Sequence, residues 1–80
     1  MTREEFVKSI ESKGFKQYKH DNQMNHVRLN GHGGTQWAFA GHKTASISEW
    51  SDWIIPQPNF DCIPYEAITE ELVLSCTRLA

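Results

Sequence analysis

Between Thr2 and Ser48 the chain changes its period once. A helical spacing of apolar residues gives way to short alternating runs separated by glycine and Asn/Asp turns. Thr2 and Glu5 have the spacing of a capping box, in which each side chain satisfies a backbone donor at a helix start. Glu4 and Glu5 also lie at the positive end of the helix dipole. Phe6, Val7 and Ile10 mark the stripe to be buried, with Lys8, Glu11 and Lys13 outside it. Gly14 then ends the helix, because glycine takes the left-handed conformation without strain.

Residues 15–20 alternate, and Asp21-Asn22 is turn chemistry. Residues 24–29 alternate again, which predicts Val27 and Leu29 on the core side and His26 and Arg28 opposite. The Gly-rich run Asn30-Gly31-His32-Gly33-Gly34 supplies a hairpin loop. Residues 35–40 form the next strand, with Trp37 and Phe39 expected inward. Gly41-His42 turns the chain into a fourth short strand over residues 43–48 through Ala45 and Ile47. Residues 48–54 fit either a short helix through Trp50, Trp53 and Ile54 or an extended edge. Pro56, Pro58 and Pro64 predict a loop over residues 56–64. From Tyr65 the apolar residues at 65, 68, 72, 76 and 79 give a helical stripe, with Glu66, Glu70 and Glu71 outside it.

The expectation is a single α+β domain over residues 1–80: an N-terminal helix, a three- to four-stranded antiparallel sheet and a C-terminal helix. A chain of 80 residues is one domain with a small core. Three Trp, two Tyr and four Phe supply large buried areas and argue for a folded chain. No run has the length of a membrane-spanning helix, the start lacks the apolar region of a secretory signal, and Cys62 and Cys76 do not form a staple pattern. These features point to the cytoplasm.

The net charge of −2 argues against a strongly cationic, non-specific nucleic-acid binder. Residues 1–40 carry +2 and residues 41–80 carry −4. His20, His26, His32 and His42 lack the close ligand pairs of a zinc motif, and Cys62 and Cys76 are too far apart to supply one, so neither metal nor cofactor is expected. No nucleotide loop, Ser-His-Asp order or paired carboxylates suggest an enzyme. Lys16, Tyr18, Lys19, His26 and Arg28 could form a modest basic and aromatic face for RNA.

Glu11-Ser12-Lys13-Gly14-Phe15 at the helix end and Asn25-His26-Val27-Arg28 on the second strand carry a family resemblance. In this order of elements the chain resembles the HicA-type toxins, over less than half its length. Those are small RNA-cleaving proteins with a fold similar to double-stranded RNA-binding domains. The resemblance implies His26 as the catalytic position, although Gln23-Met24-Asn25-His26 stands where a Gly-Ser-His-His type of run is usual.

The leading expectation is a non-enzymatic protein-binding module, an inhibitor, adaptor or regulator. Its contact residues would be Trp50, Asp52, Trp53, Glu66, Glu70 and Glu71, and its partner would have a basic surface. The alternative is an RNA-binding protein, or a ribonuclease using His26.

Overall fold

The computed structural model of the chain describes residues 1–20, 23–29, 34–50 and 60–77. Helix α1 covers Arg3–Ser12, and its capping box is complete. The Thr2 amide donates to Glu5 Oε1 at 2.7 Å, and the Glu5 amide donates to Thr2 Oγ1 at 3.1 Å. These bonds hold the Glu5 carboxyl below the usual carboxylate range. At the other end Gly14 has φ +95°. Its amide donates to the Glu11 carbonyl, and the Phe15 amide donates to the Ile10 carbonyl, at 3.1 and 3.2 Å. This is the paired closure of a Schellman motif, with Ile10 and Phe15 both buried.

Five strands follow: β1 (Lys16–His20), β2 (Gln23–Leu29), β3 (Thr35–Ala40), β4 (Thr44–Trp50) and β5 (Phe60–Pro64). They form one antiparallel sheet in the order β1-β2-β3-β4-β5, so every strand pairs with its neighbour in sequence. The α+β class is as expected, with five strands rather than three to four. The additional strand is β5, in a stretch expected to be loop. An edge strand tolerates proline, and Pro64 is its last residue. The strand also bulges: its register against β4 shifts between Ala45 and Ile47, and Cys62 takes φ +51°. The Cys62 amide donates to Ser46 Oγ at 2.9 Å.

Residues 48–50 are extended within β4, while residues 51–59 lie outside the described residues. The helical stripe predicted from Tyr65 starts later. Tyr65–Ala67 is a single 3-10 turn, Ile68 is extended, and α2 runs Glu70–Thr77. Thr69 caps it by accepting the Leu72 amide on Oγ1 at 3.2 Å.

Both helices lie on one face of the sheet, α1 against β3 and α2 against β4. The core between them holds Phe6, Ile10, Phe15, Ile68 and Val73 against Ala38, Ala40, Ala45 and Ile47. The sidedness of β2 and β3 is therefore opposite to the sequence expectation. His26, Gln36, Ala38 and Ala40 are buried under the helices, whereas Leu29 is 76% exposed and Phe39 38%. Trp37, Phe39, Val27 and Leu29 do not face the core. A strand's side chains alternate with a period of two, so a wrong choice of side inverts every residue at once. The choice follows from the helices. They bring Phe6, Ile10 and Val73 to the interface, and alanines on the sheet let them approach closely. Trp37 in that layer would hold α1 away.

Among the described residues, no helix is long and apolar enough to cross a membrane.

Candidate functional site

The sheet has two unlike faces, and its chemistry follows from that. Under the helices, Arg28 joins three elements. Its Nη1 donates to the Lys13 carbonyl at 2.7 Å and its Nε to Gln36 Oε1 at 3.0 Å. Its Nη2 donates to both Gln36 Oε1 and the Thr77 carbonyl. A guanidinium with several donors in a rigid fork suits this work, and a cation is favourable at the carbonyl ends of α1 and α2. The same group lies 4.7 Å from the centre of the Phe15 ring. Burial lowers the Arg28 pKa from its ordinary value, and Glu49 opposes that shift. Arg28 is committed to the fold.

His26 lies in the same buried layer, 5% exposed, with Nε2 3.8 Å from Glu11 Oε2. Among the described residues, His26 Nε2 and Gln36 Nε2 are buried side-chain atoms with no hydrogen-bond partner. A second polar cluster ties the helices together. Glu70 accepts from Lys13 Nζ at 2.5 Å and from Ser9 Oγ at 2.6 Å. The bond from Lys13, and then that from Ser9, hold the Glu70 carboxyl below the usual carboxylate range.

The outer face is the reverse. Neighbouring strands present Lys16, Val27, Trp37 and Ser48 in one row, because these residues pair across β1, β2, β3 and β4. Phe39 pairs with Ser46, which accepts the Cys62 amide and donates to Asp61 Oδ1 at 2.9 Å. Tyr18, 47% exposed, meets the Trp37 ring edge to face at 5.8 Å between centres. Trp37 Nε1 donates to Thr35 Oγ1 at 2.8 Å, which leaves the indole plane fixed on the face. Tyr18, Val27, Leu29, Trp37 and Phe39 thus make an apolar, aromatic surface. Lys16 stands at its β1 edge and Asp61 at its β5 edge.

The structure divides the residues expected to bind RNA. Lys16 and Tyr18 are on the outer face, whereas His26 and Arg28 are beneath the helices. Lys19 alternates with Tyr18 and is exposed at the β1 edge. Of the residues expected to bind a protein, the Trp50 side chain, Asp52 and Trp53 lie outside what the structure describes. Glu66 and Glu71 are exposed, and Glu70 is engaged by Lys13 and Ser9. His42 is exposed in the turn between β3 and β4, and the side chains of His20 and His32 lie outside the described residues. Among the described residues, no three of His, Cys, Asp and Glu gather as a metal-binding group. Cys62 and Cys76 are free thiols.

Val27, Leu29, Trp37 and Phe39 are surface residues although their hydrophobicity points to the core. The available signal was the spacing of Gln36, Ala38 and Ala40, a polar and small-residue phase suited to close packing under a helix. No protein-family model, no curated protein and no solved structure matches this chain.

Proposed function

We propose that this domain acts by binding a protein partner, and that the outer face of the sheet is the contact surface. One observation carries the reading: β2 and β3 turn their largest apolar residues away from the core and their polar ones into it. An antiparallel sheet with one solvated face normally places polar residues there. A contiguous apolar face rimmed by polar residues is the usual form of a protein contact. Trp and Tyr supply large area with little loss of rotamer freedom and are common at the centres of such contacts. The reading rests on this face rather than on the acidic residues of the second half, because Glu70 serves the packing of α1 on α2.

The test is affinity capture from the native host with and without nuclease treatment, using wild type and Phe39→Glu. A protein retained after nuclease and lost with Phe39→Glu supports the reading. Capture unchanged by Phe39→Glu, with the variant still folded, overturns it.

A second reading has its own observation. Tyr18 and Trp37 on neighbouring parts of an open sheet, beside Lys16, form a platform on which single-stranded RNA bases can stack. Capture that disappears with nuclease favours it. Cleavage by His26 gains no support from this face, because the imidazole is on the opposite side of the sheet.

A further inference from the structure

We propose that the occupant of the outer face is a second copy of this chain, packed sheet against sheet about a two-fold axis running along β3. The inference rests on the reading of this face as a protein contact and names what fills it.

The charges at the two edges argue for this arrangement. Lys16 is on the outer face of β1, in register with Val27 and, through it, Trp37. Asp61 is at the opposite edge, and its carboxylate is bonded to Ser46, the partner of Phe39 across β3 and β4. A two-fold axis between two such faces, directed along the central strand, places β1 of each copy over β5 of the other and leaves β3 over β3. Each Lys16 then approaches the partner's Asp61, and the contact occurs twice by symmetry. The exposed Tyr18 lies on the same β1 edge. An axis directed across the strands would instead place β1 over β1 and bring like charges together. The distribution of charge therefore selects one orientation.

The centre of the face fits the same symmetry. Trp37 and Phe39, both on β3, would meet their own copies near the axis, giving an aromatic centre inside a charged rim. Sheets packed in this way stand about 10 Å apart, with strands inclined by about 30°. Five strands spaced by about 4.8 Å, each contributing about five residues, project roughly 400 Å² per copy. At about 800 Å² in total this lies below the range of stable contacts, so the dimer is expected to be weak, of micromolar or poorer affinity, rather than obligate. A nucleic-acid strand would favour a face positive from edge to edge, and Asp61 opposes it.

Sedimentation velocity on the full chain, from about 1 to about 300 µM, brackets that range. A species of twice the 9.2 kDa chain mass should grow in with concentration. Phe39→Glu should abolish it, with circular dichroism confirming the fold. Lys16→Glu and Asp61→Lys should each weaken association by about 3- to 10-fold, and the two together should restore it. Restoration by the double variant cannot arise from loss of folding. A wild type monomeric throughout, a dimer that survives Phe39→Glu, or a double swap no better than the single ones would overturn the proposal. If the chain stays monomeric while Phe39→Glu still abolishes capture of another protein, self-association fails and the protein-binding reading stands. If Phe39→Glu alters neither, both fail.

Discussion

The two faces of β2 and β3 are built from adjacent residues yet follow opposite rules. The inner face places His26, Arg28 and Gln36 among alanines, beneath two helices that bring most of the apolar bulk. The outer face places Val27, Leu29, Trp37 and Phe39 toward solvent. A residue's hydrophobicity therefore does not decide its side in these two strands, whereas in β4 Ala45 and Ile47 face the core as expected. The inner face is selected for thinness and for donors that close helix ends; the outer face is free to carry large side chains.

The largest loss is expected for Arg28→Ala. It leaves the Lys13 and Thr77 carbonyls and Gln36 Oε1 without their shared donor, and should cost on the order of 3 kcal/mol. A urea midpoint near that of wild type would show that Arg28 does not hold the helices to the sheet.

A paired test on β3 comes next. Ala38→Leu overfills the layer beneath α1 and should cost about 2 kcal/mol. Trp37→Ala, one residue earlier but on the outer face, should cost only about 1 kcal/mol, since the indole is half-buried and lies outside the core layer. If thermal melts show Trp37→Ala to be the more damaging change, the assigned faces are reversed.

Glu70 probes the polar contacts on the helix side. Its folded pKa is depressed, so its contribution is present above the unfolded value and is lost as pH falls through the lower folded value. The carboxylate is half-exposed, which limits the contribution to under about 1 kcal/mol. Wild type should exceed Glu70→Gln in stability near neutral pH, and the two should converge in acid. A constant difference between their melting curves from neutral pH into acid would remove the ion pair as the cause.

The smallest effect belongs to Leu29→Ser, on the most exposed large apolar residue of the outer face. Its stability should lie within about 0.5 kcal/mol of wild type. A larger loss would mean that part of the molecule covers this face.

Local signals in the sequence determined the elements that depend on near neighbours. Thr2 and Glu5 specified the start of α1 through bonds across three residues, and Gly14 specified its end through backbone freedom at one. The alternation of residues 35–40 defined β3 for the same reason. The fifth strand escaped because Pro64 reads as a breaker, whereas at a strand's end its missing donor costs no ladder bond. For β2 and β3, the identity of the inner face was settled by tertiary structure. Period-two alternation distinguishes two sides without naming them, and the choice came from the bulk carried by α1 and α2. The same is true of the polar groups. Arg28, His26 and Tyr18 are near one another in sequence, but only packing separated a guanidinium that closes two helices from an aromatic ring left on the open face.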